Sequence, residues 1–315
     1  MSTGYLAISY KCNERCSFCP CSKEEKGFPF IDFSNIKNAI INFVENKGID
    51  MLVISGGEPT IHPAFFDIIA FATKECGLNT VILSNGEKYY DDAFLDNLSK
   101  YADISKLTAI TTIHSQNEEE HEAVNLSKGS FHRSIEGLKK LNAMGVDVII
   151  KHCITVNNYK DLLQFYQFIH KTFDESVTIQ LCSIDYCGME EDELEKNMMA
   201  FPVMRPYLEN MFDEYLADRE RGSKRYMYAI NMPFCACDPY YWDILTPHSS
   251  SYEEYGSPDD SGNVLEKEDI QNNVAAIGDG CKNCAAVSVC PGTYRTAFEY
   301  YGDQIIKPYK QQTEN

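Results

Sequence analysis

Six times within the first 185 residues, a short run of β-branched and aliphatic residues gives way to a stretch whose apolar positions recur every three to four. Few folds accommodate that order. The runs are GYLAISY, MLVIS, TVILS, LTAITTIH, VDVIIKHCITV and VTIQLCS. Most are continuous rather than alternating, the mark of strands covered on both faces. Between them, Asp32 or Ser34 can cap a helix that buries Ile36, Ile40 and Phe43 and stops at Gly48. Pro63 suits the first turn of a second helix that turns Phe66, Ile69 and Ala70 inward and ends near Gly77. Further helices are expected around 91–101, 130–144 and 159–171. Repeated strand-then-helix units predict an α/β fold with a parallel sheet. Right-handed crossovers then admit a doubly wound sheet or a partial (β/α)6 TIM-like barrel. The chemical residues favour the barrel: the first cysteine group, GGEP, SNG, His114 and VNN each follow the carboxyl end of a successive strand, the edge at which barrels bind ligands.

The pattern weakens after about residue 190, where a helix is expected over 202–221, followed by a long Ser-, Asp-, Tyr- and Gly-rich segment between Cys237 and Gly280. A barrel region over 1–200 and a second region over 201–315 are therefore expected. Loops that long are uncommon unless functional or tethered, and cysteines flank this one on both sides.

Thirteen cysteines are present. An odd, clustered set in a chain without a signal-like amino terminus argues for metal ligation and a cytoplasmic location rather than for a disulfide framework. Nine fall in three groups: Cys12, Cys16, Cys19 and Cys21; Cys235 and Cys237; Cys281, Cys284 and Cys290. The string CNERCSFC puts Cys12, Cys16 and Cys19 in a loop directly after the first strand. Three thiolates this close can hold one face of an iron–sulfur cube and leave its fourth iron open. Pro20 restricts how Cys21 could turn back to complete the set. Zinc is the alternative occupant of both cysteine-rich regions, although its sites more often pair CxxC units.

The CX3CX2C spacing with Phe18 as its aromatic resembles the signature of the radical S-adenosylmethionine (SAM) superfamily, and the six-unit barrel count agrees with it. The resemblance implies a [4Fe-4S] cluster on Cys12, Cys16 and Cys19, SAM chelated to the open iron, and Phe18 along the adenine. Gly56, Gly57, Glu58 and Pro59 match the family's GGEP element, whose glycines permit close backbone approach and whose acid can meet an ammonium. Ser84 and Asn85 match its TNG-like element with Ser in place of Thr. His114 and Ser115 stand where relatives contact the SAM carboxylate or ribose, and Asn157 where they contact ribose or adenine. Asn157 could instead cap the following helix. The run CKNCAAVSVCPG resembles the SPASM or shorter twitch appendages that hold auxiliary iron–sulfur clusters. It implies one auxiliary [4Fe-4S] cluster on Cys281, Cys284, Cys290 and a fourth cysteine from INMPFCAC, with Cys235 preferred and Cys237 the alternative.

Members of this kind abstract a substrate hydrogen with a 5′-deoxyadenosyl radical, the cofactor carrying the difficult chemistry. GSFHRSIEGLKKL through VNN, together with the terminal cysteines, most resembles maturases of ribosomally made peptides, including the His-Xaa-Ser system group. The expected substrate is then a precursor peptide, with a crosslink, thioether, epimer or trimmed residue as product. The first strand begins within a few residues of Met1, so a separate leader-binding protein or docking on the barrel rim is expected, with a flavodoxin or ferredoxin as reductant. Cys182 and Cys187 flank the end of the sixth strand as candidate hydrogen donors. A small metabolite or protein residue is the alternative substrate, and a non-catalytic iron–sulfur or zinc scaffold the alternative class. A formal charge of −19, from 28 Lys+Arg against 47 Asp+Glu, gains nothing from phosphate counterions and weighs against nucleic acid as a partner. No apolar run approaches the roughly 20 residues that span a bilayer.

Overall fold

Each of the six sequence runs forms a strand: β1 (Thr3–Ser9), β2 (Met51–Gly56), β3 (Asn79–Ser84), β4 (Leu107–Thr112), β5 (Asp147–Ile154) and β6 (Thr178–Ser183). The chain is seen in a computed structural model that describes residues 2–19, 21, 27–184, 194, 196–245, 254–256 and 275–309. Cys187 and Pro20 lie outside the described residues. Two compact units emerge: Met1–Ile113 with Asn117–Ile150 and Ser251–Glu268, and His114–Gln116 with Lys151–Ser250 and Asp269–Asn315.

In the first unit, β1 through β4 pair in sequence order, all parallel, as the continuous apolar runs require. A short strand, Glu254–Gly256, pairs parallel to β1 on its other side. Helix α1 (Phe33–Lys47) buries Ile36, Ala39, Ile40 and Phe43 and ends on Gly48 in the left-handed conformation, so its stop signal acts through φ 63°. Helix α2 (Phe65–Ala70) starts later than Pro63 and passes into a π turn over Phe71–Glu75. Phe65, Ile68, Ile69 and Ala72 are buried, while Phe66 and Ala70 are only half-buried. Helix α3 (Asp92–Tyr101) is capped by the Asp91 carboxylate. Helix α4 (Glu118–Asn125) was not anticipated. Asn117 Oδ1 caps it, and three glutamates in its first turn complement the positive end of the helix. Helix α5 (Ser130–Ala143) completes this unit.

In the second unit, α6 (Leu162–Thr172) precedes β6, and α7 (Phe201–Glu220) leads to β7 (Met227–Ile230), which pairs parallel to β6. The fully buried Arg225 donates to the carbonyls of Val177 at 2.6 Å and Phe173 at 2.9 Å, pinning the approach to β7. Beyond the edge strand Glu254–Gly256, which is β8, the chain forms an antiparallel pair, β9 (Ala275–Ala276) with β10 (Thr293–Tyr294), and a last helix, α8 (Arg295–Tyr301). Among the described residues no helix is long and apolar enough to cross a membrane.

Candidate functional site

Register slips between Ala7 and Ser9 at the end of β1, and the chain leaves the sheet into the loop that carries Cys12, Cys16 and Cys19. The turn after β2 seats that loop. Gly57 N donates to Ser9 O, and Glu58 N to Lys11 O at 2.8 Å. A Cβ on Gly57 would stand 2.2 Å from the Lys11 carbonyl oxygen, and one on Gly56, whose φ is 123°, 1.9 Å from that of Ser9. Only glycine fits, because the opposing atoms are main chain.

Glu58 is buried and accepts four hydrogen bonds: from Thr60 N at 2.9 Å, Thr60 Oγ1, Ser84 Oγ at 2.9 Å and Asn85 N at 2.7 Å. Burial pushes its pKa up, opposed by these donors. The carboxylate thus ties the turn after β2 to the turn after β3. Asn85 continues the chain of contacts, its Nδ2 donating to Asn13 Oδ1 at 2.9 Å and its Oδ1 accepting from Glu87 N at 3.2 Å. Glu87 in turn accepts from Asn13 Nδ2 at 3.0 Å, Ser127 Oγ at 3.0 Å and Arg133 Nε at 2.6 Å.

The last turn of α4 holds the far side of the loop. Arg15 N donates to Asn125 O and Ser17 N to Val124 O, each at 2.9 Å. Asn125 Nδ2 donates to Glu14 Oε1 at 2.8 Å, and the other oxygen of that buried carboxylate meets the Cys16 thiol at 3.6 Å. Burial, then the charges of Glu87 and Glu58, push Glu14 up to about 8. Burial likewise pushes the Cys12 thiol up to about 11, with Glu58, Glu14 and Cys19 adding to the rise. Cys16 is raised by burial, then by Glu14, Cys19 and Cys12. The three thiols share one loop, and Cys12 and Cys16 each feel the charge of Cys19, so as a set of soft donors the loop fits iron ligation. Among the described residues no three His, Cys, Asp or Glu side chains stand as ligands of a single metal ion. Phe18 is half-buried on the same loop.

His121, on the inner face of α4, is buried, and its Nε2 lies 3.1 Å from Asn125 Nδ2. Burial holds its pKa down to about 4 against an ordinary 6.5. At this site the unfolded chain therefore takes up a proton first as pH falls, and the contribution of His121 to stability is lost between pH 6.5 and 4. Two and a half pH units correspond to about 3 kcal/mol. Glu14, raised to about 8, contributes an opposing slope over most of that range, so the effect is read as a difference: the unfolding free energy of the iron-free native chain minus that of His121→Gln, measured in urea, is expected to fall by about 3 kcal/mol from pH 6.5 to 4.

The second unit holds the remaining predicted residues. His114 and Ser115 are buried, and Asn157 is exposed. Its neighbour Asn158 ties the strand end together, with Nδ2 donating to His114 O at 3.1 Å and Cys153 O at 2.9 Å and Oδ1 accepting from Thr155 N at 2.8 Å. The repeated VNN asparagine made the two hard to separate in sequence. Cys182 is buried, donating to Ser183 O at 2.9 Å and accepting from Asn231 Nδ2 at 3.5 Å.

A cavity of about 390 Å³, part of it open to solvent, is lined by Cys235, Cys281, Cys284 and Cys290 within otherwise apolar walls. Cys235 is raised to about 11 by burial and then by Cys290, Cys281 and Cys284. Cys237 does not line the cavity. Burial and then Glu209 push it up to about 12, with Asp238 and Cys235 adding smaller rises. Main-chain amides address these sulfurs: Phe234 N and Gly292 N donate to Cys290 Sγ at 3.4 Å each, and Lys307 N to Cys235 Sγ at 3.3 Å. Four soft donors around an apolar hollow, with main-chain N–H groups directed at their sulfurs, fit an iron–sulfur cube.

Residues 6–169, just over half of the chain, match the Radical SAM superfamily. The chain is 27% identical over 212 residues to human molybdenum cofactor biosynthesis protein 1, covering 64% of this chain and 31% of that protein. It is 25% identical over 153 residues to the sporulation killing factor maturation protein SkfB of Bacillus subtilis, covering 49% of this chain and 36% of that one. These matches span about a third of each relative's length. Among solved structures, Streptococcus suis SuiB bound to its precursor peptide SuiA superposes with a TM-score of 0.63 at 13% identity, over 98% of this chain and 75% of that chain. The fold is the TIM-like α/β barrel fold of such proteins.

Proposed function

The chain belongs to the radical SAM superfamily, and from that membership we propose that it is a maturase acting on a ribosomally made precursor peptide. The observation that carries the reading is the presence, in one chain, of the CX3CX2C loop and the four-cysteine cavity on a fold that matches the peptide-bound SuiB over 98% of its length. SkfB, by its name a maturation protein for a killing factor, supports the same substrate class.

In this reading Cys12, Cys16 and Cys19 hold a [4Fe-4S] cluster. The main chain at Gly56 and Gly57, with Ser84, Asn85, His114, Ser115 and Asn157, binds SAM, and Phe18 lies along its adenine. With SAM bound, the cluster supplies a one-electron cleavage that generates the 5′-deoxyadenosyl radical. The protein's part is to keep the loop rigid through Glu58, Asn85 and Asn125, to orient the ligands, and to exclude water. Cys235, Cys281, Cys284 and Cys290 hold a second [4Fe-4S] cluster, saturated by four thiolates, in a twitch- or SPASM-like appendage. Cys182 remains the candidate hydrogen donor at the end of β6. A small reducing protein such as flavodoxin or ferredoxin supplies the electron, and a separate leader-binding protein can present the peptide.

Anaerobically reconstituted protein, given dithionite and SAM, is expected to form 5′-deoxyadenosine, and Cys12→Ala, Cys16→Ala and Cys19→Ala to reduce it to background. Undiminished formation in any of the three would overturn the assignment. The similarity to molybdenum cofactor biosynthesis protein 1 favours a second reading, a small-molecule substrate. A mass change in a co-expressed candidate peptide, absent from the Cys12→Ala strain, separates the two.

A further inference from the structure

We propose that Tyr309 is the positioning residue that locks the four-cysteine cavity into shape. The inference rests on reading Cys235, Cys281, Cys284 and Cys290 as the ligands of one cluster.

The segment over 306–309 runs along the cavity. Ile306 and Pro308 contribute to its wall, and Lys307 N, between them, donates to Cys235 Sγ. Tyr309 then joins three separate stretches of chain. Its main-chain oxygen accepts from Ala285 N at 2.8 Å, the residue after Cys284. Its phenol donates to Cys237 O at 2.6 Å, two residues past Cys235. The same phenol oxygen accepts from Arg205 Nη1 on α7 at 3.0 Å. Arg205 is itself fixed by Glu209 at 2.7 Å, and Glu209 also accepts from Asp238 N at 2.7 Å. Trp242 packs edge-on against the phenol ring at 5.7 Å, and its indole N–H donates to Phe234 O at 2.9 Å.

The four cysteines come from two places far apart in sequence, and no strand ladder joins the turn over 234–237 to the loop over 281–290 among the described residues. Tyr309 supplies that join, from the phenol end to one piece and from the main chain to the other. A ligand set must be held at cluster spacing before iron arrives if it is to compete with open thiols, so the lock acts on cluster uptake and retention.

Iron, chelator and spin-resonance measurements on the reconstituted full chain test this. The native protein is expected to carry about eight irons per chain, four per cube. Tyr309→Ala is expected to hold about four, to lose one of the two reduced-cluster signals, and still to form 5′-deoxyadenosine from SAM, which reports that the SAM-cleaving site is intact. Tyr309→Phe keeps the ring and the bond from Ala285 but loses the phenol. It is expected to load fully and to release iron to chelator at least about tenfold faster, as for the loss of one neutral hydrogen bond, to Cys237 O, and one charge-assisted bond, from Arg205. Arg205→Lys, which keeps Tyr309 and a cationic donor to its phenol, is expected to keep near-native release. About four irons in the native chain would overturn the second cluster itself. Eight in the native chain with native iron retention and signals in both Tyr309 variants would overturn the lock alone. Loss of 5′-deoxyadenosine formation together with the iron in Tyr309→Ala would mark general unfolding and equally remove the specific assignment.

Discussion

Gly57→Ala is expected to strip the iron held by Cys12, Cys16 and Cys19 and to lower 5′-deoxyadenosine formation by at least about 100-fold. The new methyl would meet Lys11 O at 2.2 Å, Lys11 C at 2.6 Å and Tyr10 O at 2.6 Å, all main-chain atoms that cannot rotate away. Either the turn after β2 or the stretch before Cys12 must move by about 1 Å, the scale at which a misplaced reacting geometry loses about two orders of magnitude. Glu58 N and Gly57 N would also lose their acceptors on that stretch. Gly56→Ala compounds the clash with a φ of 123° that an alanine resists. Gly27→Ala, where no neighbour lies within 4 Å of the added carbon, is the matched control and should leave iron and activity unchanged. Iron content and 5′-deoxyadenosine measured on the three variants check the expectation, and a fully loaded, active Gly57→Ala protein would show that the turn does not seat the loop.

How far this architecture was legible depended on how local its cause was. β-branched runs such as VDVIIKHCITV announce a covered strand by themselves, and Gly48 announces a helix stop, because both act through neighbours in sequence. The phase of α2 is ambiguous in sequence because Phe65 and Phe66, and Ile69 and Ala70, are adjacent apolar residues, and composition does not say which of each pair turns inward. Helix α4 was missed because EEEHEAVN offers only His121, Ala123 and Val124 as an apolar face and reads as a solvated loop. Its capping signal, Asn117 before three glutamates, was available. Its use was not, since Asn125 meets Glu14 only once the chain has folded. The same holds for Asn13, Glu87 and Arg133, each an ordinary surface residue in sequence. Cys235 and Cys237 are indistinguishable at two residues' spacing, and only the cavity separates them by placing one on its wall.

Glu58→Ala is expected to cost about 3 kcal/mol or more of unfolding free energy, since each buried donor left without an acceptor costs about 1–3 kcal/mol. Thr60 N, Thr60 Oγ1, Ser84 Oγ and Asn85 N would all be stranded in a site that water reaches poorly, Glu58 being 1% exposed. Glu58→Gln is the more informative variant. Its amide oxygen can serve the donors now on Oε1, but its amide nitrogen must face the Asn85 amide, donor against donor. A loss of about 1–3 kcal/mol is expected there. SAM affinity should fall in step with stability in both variants, because the carboxylate acts by joining the turns after β2 and β3 rather than by touching the ligand. A carboxylate that met the ammonium of SAM directly would behave otherwise: Glu58→Gln would then weaken SAM binding while leaving the urea midpoint unchanged. Measuring both quantities on the two variants decides between a structural tie and a direct contact, and four donors within 2.9 Å favour the tie.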